Sequence, residues 1–393
     1  MEQSDAQRFV SQLQEATYLR LGIDPQAVAD AAAAVLSGQC LDAYVAATFG
    51  DLDEDDKELQ LVSLREVSRD PEVVPSRYED PLRYRMIRKR AEQIESAATA
   101  HGMELSDRPL LGTLPTGQVN AVTYLVPGSR DRVVLFEREL FTFALLLSKA
   151  VCCTFPVEAS ASGKTTFVTG PAPVRRRIEE HPELIERFTE FVLAYALTGR
   201  PTLARPYLPE RAHQHLALVL RTSLELFVLG HEYGHVLAGH LSQVSRTAPS
   251  RAQLDDVDAL EYSWRQEYEA DAIGCRLAHS AMKNLGYDSA LSFWGADSFF
   301  SGMDVMDRAT SLLLHGDEQR QTLSSHPPSE HRRERLRAKL PDIVMERHSE
   351  EHIKPVQLGW TIQAVIEELW VRSRPSVVNA HKRGLRPARQ WAS

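Results

Sequence analysis

Leu224-Glu-Leu-Phe-Val-Leu-Gly-His-Glu-Tyr-Gly-His-Val-Leu-Ala-Gly-His240 decides how this chain is read. Apolar residues recur here at helical spacing, and His231 and His235 lie four positions apart. On an α-helix that spacing leaves them about 40° from each other and one turn apart, on one face. Two imidazoles so placed can both reach one zinc ion at about 2.0–2.1 Å. Glu232 lies beside them, where it can take a proton from a water that a metal activates. The apolar flanks Leu226, Phe227, Val228, Val236 and Leu237 imply a buried helix and a dry, rigid site. His240 is five residues past His235, about 140° round the helix, and is not expected to reach the same ion.

A short pattern with three set positions also occurs in helices that hold two ordinary histidines. The stretch Gln266-Glu-Tyr-Glu-Ala-Asp-Ala-Ile-Gly274 separates the two readings. A catalytic zinc takes three protein ligands and keeps a position open, and Glu267 can be the third. Asp271 shares a helical face with Glu267 and can accept the outer N–H of a ligand histidine, setting its tautomer. Glu269 points the other way and reads as a solvated charge or a salt bridge. Cys275 reads as core. Tyr233 and Tyr268 can donate to an oxyanion but, inside helical motifs, read more simply as packing residues.

Farther on, His326-Pro327-Pro328-Ser329-Glu330-His331-Arg332 ends a loop and opens a helix. From there His326 can stabilise the oxyanion of a tetrahedral intermediate, and Arg332 can orient the loop or bind a carboxylate. By itself this stretch reads as a helix start with incidental charges.

In this order the three stretches resemble the HtpX-like and CAAX-prenyl-protease group of zinc metallopeptidases, within the gluzincins. The resemblance implies zinc bound by His231, His235 and Glu267, Glu232 as general base, Asp271 supporting the ligands, and His326 near the scissile carbonyl. It also matches Asn120-Ala121, ahead of an edge strand that would pair with an extended peptide substrate. The implied fold is α+β and mostly α: a gluzincin-like core, a small antiparallel edge-strand sheet and the HExxH helix. The implied activity is zinc-dependent endopeptidase cleavage of a peptide or protein. Two rival readings are a regulatory or partner-binding module that kept the fold, and a narrowly specific stress, toxin or phage-defence protease.

The rest of the chain sets the frame. It has 393 residues, 43% hydrophobic and 25% charged, which suits a globular protein with a sizeable core. A net charge of -9 argues against a nucleic-acid-binding surface spread over the whole protein, though not against a local basic patch, and no nucleic-acid partner is expected. The N-terminus lacks the pattern of a signal peptide, and no apolar run approaches the roughly 20 residues that span a bilayer. The expected location is cytoplasmic. The four cysteines show no paired spacing and read as buried apolar residues in a reducing compartment.

Expected organisation is a helical region over 1–105, a metallopeptidase domain over 106–345 with a helical insert at about 137–220, and a C-terminal helix with a basic tail over 346–393. Asn120–Val126 and Arg132–Phe136 read as a hairpin around Pro127-Gly128, followed by a helix over about 137–150. Residues 154–173 read as a loop. Its Gly163-Lys164-Thr165-Thr166 is no phosphate loop, because Glu158 stands where that motif needs glycine. Helices are expected over 178–197, 212–241, 261–285, 289–314, 330–340 and 361–372, with a loose basic tail from Pro375. The acidic run 51–58 reads as a solvated turn.

Overall fold

The computed structural model describes residues 3–36, 41–43, 57–58, 61–62, 65, 74–105, 108–117, 121–159, 165–240, 256–318, 327–343 and 353–388. The acidic run lies almost wholly outside the described residues. Among them no helix is long and apolar enough to cross a membrane.

The centre of the molecule is α7, Arg211–Leu237. Its apolar residues are buried on nearly every side, as expected of a helix that other elements surround. Around it pack α3 (Pro81–Ala100), α4 (Leu140–Cys152), α8 (Asp256–Asn284) and α9 (Ser289–His315). One apolar cluster takes in side chains from all of these helices, and from α6 (Glu183–Thr198), α10 (Ser329–Ile343) and α11 (Ile353–Lys382). The long α9 is bounded by its sequence. Asp288 caps its start through a bond from the Leu291 amide at 2.9 Å, and Gly316 ends it in the left-handed region at φ 84°.

The sheet is three-stranded: β1 (Leu110–Leu114), β2 (Ala121–Leu125) and β3 (Arg132–Glu137), in the order β1-β3-β2. The hairpin of β2 and β3 forms with Ala121 opposite Phe136 and Leu125 opposite Arg132. The expected antiparallel sheet is corrected to a mixed one, because β1 runs parallel to β3. No motif announced β1. The reason lies in β3, whose alternate residues are buried on opposite faces. Val134 and Phe136 join the helical core, whereas Val133 and Leu135 pack under Ala6 and Val10 of α1 (Asp5–Arg20). A strand buried on both faces and paired on both sides needs a second neighbour, and β1 supplies it.

A polar knot ties α1 to this sheet. The buried Glu79 carboxylate accepts from Gln14 Nε2 at 2.8 Å, the Thr113 amide at 2.9 Å and Thr113 Oγ1 at 2.5 Å. Burial pushes its pKa up to about 7 against the opposing pull of these donors.

Three further expectations change. The loop read over 154–173 contains a short antiparallel pair, β4 (Val157–Ala159) with β5 (Thr165–Phe167), and the first turn of α5 (Pro171–Glu180). The helix expected over 178–197 is two helices, parted at His181-Pro182. The basic tail is not loose from Pro375: α11 runs through that proline to Lys382. Ile362, Val365, Ile366, Leu369, Val377 and Ala380 keep the buried stripe going, which outweighs the backbone bond that proline removes. The described cysteines Cys152, Cys153 and Cys275 are free and buried.

Candidate metal centre

Two helices build the centre, and what lets them do so is small residues. On α7, Gly230 and Gly234 are one turn apart; on α8, Ala270 and Gly274 are one turn apart. A Cβ on Gly230 would lie 2.6 Å from the Gly274 carbonyl oxygen. One on Gly234 would lie 2.7 Å from that of Ala270, and one on Gly274 would lie 2.5 Å from the His231 nitrogen. The two backbones therefore touch, which only glycine at these positions permits. This close approach was not anticipated, although the paired small residues at four-residue spacing were legible in the sequence.

Contact between the backbones brings the facing side chains together. His231 Nε2 and His235 Nε2 are 3.2 Å apart. Glu267 places Oε2 at 3.6 Å from His231 Nε2 and Oε1 at 3.4 Å from His235 Nε2. One donor atom from each of the three lies within 4.8 Å of the others. Glu232, buried on α7, sits alongside with Oε1 at 4.0 Å from His231 Nε2.

Each of these groups is held from behind. His231 Nδ1 is 2.9 Å from Asp271 Oδ1. A proton on Nδ1 leaves Nε2 with its lone pair toward the cluster. Burial pulls the His231 pKa down, but the bond to Asp271 and its charge outweigh this and raise it. Asp271 is held below the usual carboxylate range, since Arg332 and His231 overcome its burial. Arg332 grips Asp271 with two bonds, Nε at 2.9 Å and Nη2 at 2.6 Å, and reaches Glu267 Oε2 with Nη1 at 3.2 Å. Its guanidinium stacks over the Phe300 ring at 5.0 Å. Arg332 comes from α10, so this helix locks onto the other two through a bidentate ion pair.

Two supports escaped sequence reading. Thr123 Oγ1, from β2, donates to Glu232 Oε2 at 2.6 Å. Nothing in the local sequence marks Thr123 except its place in the strand. His240 lies past the end of α7 and outside the three-residue cluster, with its Nδ1 3.0 Å from His235 Nδ1. Its Nε2 meets Glu269 at 3.2 Å. Neutral tautomers satisfy the whole chain in one direction: His235 Nδ1–H donates to His240, whose Nε2–H donates to Glu269. That direction leaves His235 Nε2 unprotonated.

The cluster opens into a cleft of about 280 Å³. One wall is β2, from Ala121 to Thr123; Phe227 and Val228 of α7 and Phe299 of α9 add an apolar side. β2 is an edge strand, paired only with β3 among the described residues. Asn120 and His326 lie outside the described residues. Tyr233 turns away from the cluster, donating to Glu95 Oε1 of α3 at 2.7 Å. Tyr268 lies under Arg335, and Cys275 is packed in the core.

Comparison with known proteins gives one family. Residues 244–340, about a quarter of the chain, match the family model of peptidase family M48. No curated protein and no solved structure matches. The matched stretch holds Glu267, Asp271, His326 and Arg332, and begins after the HEYGH motif, which is therefore separate support. That match bears out the resemblance carried by the three motifs and relates the chain to peptidase family M48, a family of metallopeptidases.

Proposed function

We propose that this chain is a zinc-dependent endopeptidase that holds its ion on His231, His235 and Glu267 and uses Glu232 as the general base. The observation that carries the reading is the meeting of two imidazole Nε2 atoms, 3.2 Å apart, with a carboxylate at 3.4 and 3.6 Å. Two neutral nitrogens and one carboxylate oxygen are the donor set of a catalytic zinc that keeps an open position. When bound, zinc supplies the positive charge that acidifies water and polarises a peptide carbonyl.

The chain's own residues do the rest. Glu232 takes the proton of the attacking water and passes it to the leaving amine. Thr123 fixes the second oxygen of Glu232, so the first is the one aimed at the cluster. Asp271 and Arg332 keep His231 and Glu267 in place without being consumed. The backbone of β2 offers its unpaired edge to an extended peptide, beside Glu232. A peptide or protein segment that can add a strand is the substrate class this geometry favours.

The deciding experiment pairs metal analysis with an activity assay. The wild-type protein should carry one zinc per chain and cleave an unstructured polypeptide in a chelator-sensitive way. Glu232→Gln should keep its zinc and lose cleavage by at least about a hundredfold. A carefully purified chain that takes up no zinc ends this reading.

A further inference from the structure

A second cleft, of about 300 Å³, opens between α8 and α10, on a different face of α8 from Glu267 and Asp271. Arg265, Tyr268, Glu269 and Arg276 line it from α8, and Arg335 and Lys339 from α10. Residues 265, 268, 269 and 276 share one helical face, and 335 and 339 are one turn apart. Four cations therefore meet around one small space in a chain whose net charge is -9.

Such a gathering costs energy unless something neutralises it. Among the described residues no carboxylate pairs with any of the four cations. The single acid on the wall, Glu269, is turned to His240 Nε2 at 3.2 Å. Arg276 is half-buried, and its Nε is shielded from solvent with no hydrogen-bond partner. Arg335 is held over the Tyr268 ring at 4.4 Å to the centroid, which limits where its guanidinium can turn.

We propose that this cleft is a binding site for a compact, multiply charged oxyanion of the polyphosphate class. Guanidinium groups match phosphate oxygens in bidentate fashion, and three of them with an ammonium suit more than one negative charge. The volume lies at the low end for small-molecule sites, which fits a small anion rather than a polypeptide. The site does not rest on the peptidase reading: none of its cations touches the zinc cluster, and the one link between them is Glu269, through His240 to His235.

Calorimetric titration of the zinc-loaded, full-length protein with inorganic pyrophosphate tests this. Saturable binding is expected. Arg276→Gln and Arg335→Gln should each weaken it by about tenfold or more, the worth of one charge-assisted hydrogen bond. Glu269→Gln removes the one acid on the wall and should tighten binding, a gain that misfolding cannot mimic. Arg130→Gln, an exposed arginine at the β2–β3 turn, should leave affinity unchanged. Three results would each overturn the proposal: no saturable binding, affinity indifferent to Arg276 and Arg335 (an anion held at the metal instead), or an equal loss in Arg130→Gln.

Discussion

Thr123 and Asp271 act at the same centre but on different groups, so their removal should leave different signatures. Thr123→Val keeps the strand-forming shape and deletes the bond to Glu232 at 2.6 Å. The expected result is unchanged zinc content with kcat lowered about tenfold, consistent with losing one hydrogen bond to a charged group. Asp271→Asn instead keeps one acceptor oxygen but removes the charge that His231 and Arg332 face, and leaves Arg332 only Glu267 as an ion partner. Zinc affinity should fall about 10–100-fold, measured by competition with a chelating dye. If Asp271→Asn bound zinc like the wild type, the role given to Asp271 would be wrong.

At the scale of elements, the contact between α7 and α8 sets the whole centre. Gly274→Ala would push a methyl group to 2.5 Å from the His231 nitrogen and 2.7 Å from the Gly230 carbonyl carbon, against α7 backbone that has no side chain to turn aside. The helices must then separate. Overpacking of this kind costs about 1–3 kcal/mol, and the separation also parts Glu267 from the two histidines. The predicted outcome is a lower melting temperature and weaker zinc binding together. A Gly274→Ala protein with wild-type zinc affinity would show that the ligands meet without the close approach.

Across the whole molecule, the attachment of α1 to the sheet should depend on pH. The pKa of Glu79 in the folded protein is pushed up to about 7 from the ordinary 4.5 of a glutamate. A carboxylate raised on folding binds its proton more tightly in the native state. Its stabilising contribution is therefore complete below about 4.5 and disappears as pH rises through about 7. Between pH 5.5 and 8.5 the loss should be about 2 kcal/mol. Urea midpoints at the two pH values, compared between wild type and Glu79→Gln, isolate this group from the histidines of the candidate centre. The wild type should show the steeper decline. Parallel declines in the two proteins would remove Glu79 from the account.

Much of the centre was legible because its parts are local. A four-residue spacing on a helix puts His231 over His235 and Glu267 over Asp271 whatever else the chain does. The apolar periods of α7 and α9 marked those helices for the same reason, although α7 ends at Leu237, short of the expected 241, and the β-rich runs Asn120–Val126 and Arg132–Phe136 around Pro127-Gly128 marked the β2–β3 hairpin. What stayed hidden depends on neighbours far away along the chain. The parallel partner β1 has no signature of its own, because its pairing follows from β3 being buried on both faces. Pro375 looked like a helix end until the stripe through Val377 and Ala380 found α9 and the rest of the core to pack on. Thr123 meets Glu232 from 109 positions away, and Arg332 meets Asp271 from 61. Helical spacing thus determined which side chains share a face. Only the packing of α7 against α8, with β2 and α10 closing round them, decided that those faces meet at one point.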